Sequence, residues 1–366
     1  MRFLDALKEV ASLAGYSITG TDSQSVSDKA RAARRINGIR ADIVSRFSGR
    51  WAGQYKEGWL PLVAVYGTGT VQVTQNSRAV VGTTTVWTSA MVGRKFLGPD
   101  GAYYKIIAVG GNTSLTLSEP YQGADVASGG TYQIWKDEYV LYPDVFSLID
   151  FVNYIDPTQM REFTNRQSRS LYPRSTANET PRYFELVGRK KNIGPYSTGT
   201  VSGTANTRTI TGSGTSWFDN ITPGYEITIG SYTYHVDSVD SDTQLTLVED
   251  IVTTITAGTT YSARGRNAVI VRFLSPSSQT VVSYSYYSKV YPLVNDNDED
   301  WLLELYPHLV INGVLQWDYL DKNDPVRANQ AAQLFENNMQ NTHVSDSSQF
   351  GGTFGLPLDI PNTARE

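Results

Sequence analysis

Between Glu299 and Met339 the apolar residues Leu302, Leu305, Leu309, Val310, Val314 and Trp317 recur at three- and four-residue intervals, the signature of an amphipathic helix. Asp296, Asp298, Glu299 and Asp300 precede it, where negative charge complements the positive end of the helix dipole. Pro307 lacks a backbone donor and clashes with the preceding turn, so a kink is expected there, or a break with the true helix starting at Tyr306. Asp324 followed by Pro325 reads as an N-cap and first helical residue, opening a second helix whose buried stripe is Ala328, Ala331, Phe335 and Met339. Near the N-terminus, Phe3, Leu7, Val10 and Ala14 share one face of a short helix that Gly15 stops. A longer helix is expected from about Ser27 to Phe47, burying Ala33, Ile36, Ile39, Ile43 and Phe47. Its opposite face carries Lys29, Arg31, Arg34, Arg35 and Arg40. That face reads first as a solvated helix surface and second as a docking surface for an acidic partner.

From Tyr66 the texture becomes short alternating runs of Val, Thr, Ser and Gly, and it returns after Tyr196. Gly69–Val71 matches Gly199–Val201, Trp87 matches Trp217, Tyr104–Val109 matches Tyr234–Val239, and Leu115–Leu117 matches Leu245–Leu247, nearly all offset by about 130 residues. The chain therefore contains two copies of one β module, at 63–135 and 192–265, each expected to be a small sandwich or barrel. Trp87 and Trp217 are read as module core residues, since burying an indole is the largest apolar contribution so small a module can have. Between and after the copies, strands are expected at Tyr139–Tyr142, Tyr183–Val187, Ala268–Phe273 and Thr280–Lys289, with a helix around Pro157–Gln167. The last two strands, separated by SPSS, read as a hairpin. The resulting fold class is α+β: a discontinuous helical-bundle core with a β-hairpin, built from 1–62, 136–190 and 266–341, carrying the two all-β modules as insertions. Residues 342–366, with Gly351, Gly352, Pro357 and Pro361, form an extended tail that a partner would order.

Composition narrows the function. The chain has 366 residues, 40% of them hydrophobic and 18% charged, as in soluble globular proteins, and 31 Gly and 23 Tyr suit a turn-rich β component. No run approaches the roughly 18 apolar residues that span a bilayer, and the amphipathic N-terminus is unlike a secretory signal. With no cysteine, disulfides and thiolate metal sites are excluded. A net charge of −5 gives no general electrostatic reason to bind nucleic acid. His235, His308 and His343 have no second ligand at a metal-binding spacing. The run from Asp296 opens like a calcium loop, but Trp301 stands where the loop needs Gly and Pro307 where it needs Glu. No phosphate loop, nucleophile elbow or kinase signature occurs, so neither a catalytic residue nor a cofactor is assigned.

With the modules set aside, the order of YVLYPDVFSLID, TPRYFELVGR, AVIVRFLSPSSQTVVSYSYYSKVYPL and the C-terminal helices resembles the head-to-tail adaptor (connector) proteins of tailed bacteriophages. The modules are similar to repeats of phage structural proteins. TGSGTSW at Thr211–Trp217 and DTQLTL at Asp242–Leu247 carry the repeat's form, with VGTTTVW and NTSLTL in the first copy. The resemblance implies a non-enzymatic virion protein of the neck or tail, assembled in the host cytoplasm. It would form a ring of identical subunits, twelvefold, beneath the portal protein, against a tail tube, nozzle or stopper protein. DNA would pass through its channel with non-specific contact only, and the inserted modules would reach neighbours, tail fibres or capsid. Arg31, Arg34, Arg35 and Arg40 are the expected portal or neighbour contacts. The rival reading is a tail-tip or fibre-associated protein whose modules bind a surface glycan on Tyr103, Tyr104, Tyr232 and Tyr234, with Trp87 and Trp217 as further stacking candidates. A cell-wall hydrolase with a carboxylate pair ranks last.

Overall fold

The structure is a computed structural model that describes residues 1–46, 51–153, 160–163, 181–273 and 280–349. Its elements, in chain order, are α1 (Phe3–Ala14), α2 (Ser23–Ser45), β1 (Tyr55–Leu62), β2 (Thr70–Val73), β3 (Ala79–Thr83), β4 (Lys95–Leu97), β5 (Tyr103–Gly111), β6 (Ser114–Leu117), β7 (Val126–Gly130), β8 (Gln133–Trp135), β9 (Glu138–Val140), β10 (Val145–Asn153), β11 (Arg161–Glu162) and β12 (Tyr183–Tyr196). There follow β13 (Thr200–Gly203), β14 (Thr209–Ser213), α3 (Trp217–Asn220), β15 (Tyr225–Ile229), β16 (Tyr232–Ser241), β17 (Gln244–Leu247), β18 (Ile255–Thr259), β19 (Ser262–Phe273), β20 (Thr280–Ser288), α4 (Trp301–Leu305), α5 (Pro307–Asp321) and α6 (Pro325–Gln349).

The expected helical-bundle core is overturned. Strands make up 40% of the described residues and helices 27%, and the architecture is dominated by large antiparallel sheets and a half-barrel. The physical reason lies in the segments between and after the modules. Their alternating aromatic and β-branched residues, such as Phe151, Phe184, Val271, Phe273, Tyr284 and Tyr286, bury a sheet-built core of their own. The expected hairpin is corrected as well. Strand β20 lies between β1 and β10 in one sheet, while β19 pairs with β9 and β15 elsewhere. Both strands have their edges taken by other partners, so they meet through side chains, with Phe151 touching both Phe273 (5.5 Å) and Tyr284 (5.6 Å).

The chain divides into two compact units. One comprises Met1–Lys56, Gly194–Gly265 and Tyr287–Glu366; the other, Glu57–Ile193 and Arg266–Tyr286. In the first, α1, α2, α4, α5 and α6 share one apolar core that includes Phe3, Leu7, Ile36, Ile43, Trp51, Leu302, Val314, Phe335 and Met339. Helix α1 ends as its sequence demands: Gly15 adopts a left-handed φ of 74° that a side chain would strain. Pro307 breaks the C-terminal helix, with Tyr306 non-helical (φ −133°, ψ 49°) between α4 and α5, and Pro307 is the first residue of α5. Helix α6 is capped as predicted, Asp324 Oδ1 accepting the Arg327 N–H at 3.1 Å. Module 2 belongs to this unit, with strand order β15-β16-β17-β14-β13-β18 and Ser262–Gly265 of β19 along β15.

In the second unit, module 1 has strand order β8-β4-β5-β6-β3-β2-β7, the same path. Of the helix expected around Pro157–Gln167, the described part is extended: Met160 N–H bonds Phe151 O, and β11 runs parallel to β12. The rest of that segment, Phe47, the SPSS turn and residues 350–366 of the tail lie outside the described residues, while 342–349 continue α6.

The two modules share their interior bond for bond. Trp87 Nε1–H donates to Tyr132 Oη (3.1 Å), whose hydroxyl donates to Thr68 O (2.6 Å). In the second copy Trp217 Nε1–H donates to Tyr261 Oη (2.9 Å), which donates to Thr198 O (2.7 Å). Each indole slides under a strand glycine. A Cβ at Gly82 would stand 2.8 Å from Trp87 and 2.2 Å from Thr85 Oγ1; one at Gly212 would stand 2.7 Å from Trp217 and 2.3 Å from Thr215 Oγ1.

Candidate functional site

The basic face of α2 resolves into four different environments. Arg40 is buried, its Nε–H donating to Asp300 (2.8 Å) and its Nη1–H to Asn37 Oδ1 (2.8 Å) and Tyr291 O (3.2 Å). It is a structural cation, placed where losing its partner would leave a charge stranded in the interior. Arg35 is paired with Asp318, itself buried, and with Asp321, both on α5. Arg31 pairs with Asp28 (2.9 Å) and lies over the Tyr16 ring. Arg34 is exposed and makes no ion pair among the described residues.

One helical turn separates Arg34 from Gly38, and another separates Gly38 from Asp42. Gly38 and Asp42 line a groove of about 550 Å³ formed by α2, α5 and α6, together with Arg35, Ile39, Arg46, Gln316, Trp317 and Glu336. Arg46 closes one end, holding both carboxylate oxygens of Glu336 (2.7 and 2.9 Å) and stacking over Phe335. The Glu336 hydrogen bond is the leading cause that raises Arg46 above the ordinary arginine pKa, against the opposing effect of burial. Trp317, expected in the buried stripe of its helix, is 52% exposed and forms part of the groove wall. Leu305 is likewise exposed. Each lies one turn from a buried residue of its own helix, Leu302 for Leu305 and Val314 for Trp317, so helical phase alone does not show which turns of a stripe a neighbouring element covers.

The acidic run before α4 staples elements together. Asp298 is buried and accepts N–H groups from Val294 (2.7 Å), Asn295 (2.8 Å) and, from module 2, Asp250 (3.2 Å). Asn295 Nδ2–H returns a bond to Asp250 O (2.9 Å). Asp296 pairs with Lys29 (2.8 Å) and Asp300 with Arg40. The pairings that involve Asp250, Lys29 and Arg40 were not readable from spacing, because those partners lie more than 40 residues away in sequence. Module 2 is bonded further to the segment before α4 and to the start of β1: His235 stacks on Tyr291 (4.0 Å between ring centroids) and shares a hydrogen bond with the Glu249 carboxylate, and Asp237 pairs with Lys56 (2.6 Å).

Of the other named aromatics, Trp87 and Trp217 are fully buried, as are Tyr104 and Tyr234, whose hydroxyls accept the N–H groups of Gln122 and Val252. These four offer no stacking platform. Tyr232 is exposed, and Tyr103 is half-buried against Trp135 and Lys95. Among the described residues no helix is long and apolar enough to cross a membrane. No known protein family's sequence pattern and no curated protein matches this chain.

Proposed function

We propose that this protein is a structural virion component, a head-to-tail adaptor that forms a ring beneath the portal and links capsid to tail, and that the α2–α5–α6 groove is its portal or neighbour contact. The observation that carries the reading is the groove itself. A tryptophan left half exposed beside arginines on a rigid helical wall is the composition of an interface hot spot, because indole and guanidinium give large contact area at small entropic cost. The helices behind it are locked by the Arg40–Asp300 and Arg35–Asp318 pairs, so the wall is presented without reorganisation.

Within the basic face, Arg34 at the groove margin is the contact arginine, and Arg31 is its neighbour one turn earlier. Arg35 and Arg40 hold the wall in place. A net charge of −5 suits a conduit, repelling the phosphate backbone instead of trapping it. The test is pull-down and electron microscopy of the portal protein with Arg34→Glu and Trp317→Ala. Loss of portal binding with unchanged circular dichroism is the expected result; undiminished binding by the double variant overturns the groove assignment.

A further inference from the structure

The internal duplication supplies a control for surface residues, since both copies have one interior and one strand path. Positions that differ outside therefore report what each copy touches. In module 2 the end of the β14–β17–β16 surface is closed: Arg208 pairs with Asp250 (3.2 Å), His235 lies against Glu249 and Tyr291, and Asp237 pairs with Lys56. The equivalent residues of module 1 are Arg78, Pro120, Lys105, Glu119 and Ile107. Arg78 and Lys105 are exposed, flanking the end of β6, where Leu117 N–H bonds Arg78 O and Ser118 N–H bonds Lys105 O. Ile107 is 47% exposed and Val81, on the outward side of β3, 50%. Their counterparts are Asp237 and Thr211, so the fold itself has no need of apolar residues there.

Module 2 has the opposite speciality. Between 197 and 261 it carries seven carboxylates and one arginine, whereas 67–132 carries three carboxylates and four lysines and arginines. At the β16–β17 turn, Asp242 holds α3 in place, its Oδ1 accepting the Phe218 N–H (3.1 Å). Phe218 is 60% exposed, and Asp219, Asp240 and Asp242 are exposed around it. The corresponding residues of module 1 are Thr88, Ser89, Gly110 and Asn112. One copy thus presents a basic surface with apolar Val81 and Ile107, the other an acidic knob with an apolar tip.

We infer that module 1 of one subunit docks on the acidic Phe218 knob of module 2 of a second copy of this chain, in a head-to-tail contact. Such a contact is heterologous and propagates from subunit to subunit, closing into a ring when its rotation closes. Opposite charge at the rim sets the register and speeds encounter, while Phe218, Val81 and Ile107 supply the dry centre. This names a subunit contact for the ring proposed above and rests on that reading only for closure.

The experiment is a charge swap read by analytical ultracentrifugation of the full chain. Arg78→Glu/Lys105→Glu and Asp219→Lys/Asp240→Lys should each self-associate at least tenfold more weakly than the wild type, with unchanged circular dichroism. Mixed in equal amounts they should reassemble, because every contact between unlike subunits then joins opposite charges. Ile107→Asp, which installs the residue of the other copy, should weaken association without unfolding. A wild type that stays monomeric, variants that assemble as the wild type does, or a mixture that fails to reassemble overturns the inference. Rings that still form on the portal after a failed swap remove this interface and leave the adaptor reading standing.

Discussion

The two β modules are alike inside and unlike outside, and the contrast separates what folding requires from what the protein uses. Inside, a tryptophan, a tyrosine hydroxyl and a backbone carbonyl form the same chain of hydrogen bonds in both copies, under the same glycine. Outside, Asp250 and His235 of module 2, the latter held by Glu249, are fastened to the segment before α4 and Asp237 to the start of β1, and module 1 has Pro120, Lys105, Glu119 and Ile107 at those places. The two copies thus share a scaffold, and their outer positions carry different residues.

The comparison breaks most sharply at the tryptophans. Trp87→Ala and Trp217→Ala should each cost about 3–5 kcal/mol of module stability. They should differ in reach: Trp217→Ala lowers the unfolding midpoint of the helices, which share a compact unit with module 2, and Trp87→Ala leaves the helical transition in place. Far-ultraviolet circular dichroism in denaturant distinguishes them, and equal effects on the helices would erase the distinction. Next in size, Asp298→Ala leaves the Val294, Asn295 and Asp250 N–H groups without their acceptor, costing about 2–3 kcal/mol. It should split one calorimetric transition of helices and module 2 into two.

Gly82→Ala and Gly212→Ala should each cost about 1–3 kcal/mol by forcing a methyl against Thr and Trp, with the same value in both copies within error. Alkaline titration probes the shared interior by another route. Burial pushes the Tyr261 hydroxyl up to about 12, and burial likewise raises that of Tyr132. From pH 10 to about 12 the unfolded chain has shed protons that the folded chain retains, so it binds fewer protons and stability falls with rising pH; below pH 10 the contribution is whole. Denaturation midpoints followed alongside tyrosinate absorbance should show both modules loosening in that window. The smallest effect belongs to Asp237→Ala, under about 1 kcal/mol, since the pair with Lys56 is half exposed.

Local patterns made much of this legible. The repeat, the burial of Trp87 and Trp217, the Gly15 stop, the break at Pro307 and the Asp324 cap all follow from spacing or from one residue's stereochemistry. Long-range pairing was not legible. Strands β19 and β20 are adjacent in sequence with a turn between them, which is the pattern of a hairpin, yet each is claimed by distant strands. The basic face of α2 looked uniform because sequence shows charge and not partners: Arg40 and Arg35 are committed to Asp300 and Asp318, some 260 and 283 residues away, and only Arg34 is left facing outward without an ion pair among the described residues. Trp317 shares the helical phase of buried Val310 and Val314, and its exposure follows from what covers that turn of the helix, which spacing does not show.

The most direct test of the proposed adaptor role is negative-stain electron microscopy of the purified protein, alone and mixed with a portal protein encoded beside it. The account predicts rings of this chain stacked on the portal and their loss with Arg34→Glu/Trp317→Ala. A monomer that ignores the portal at every concentration would contradict it.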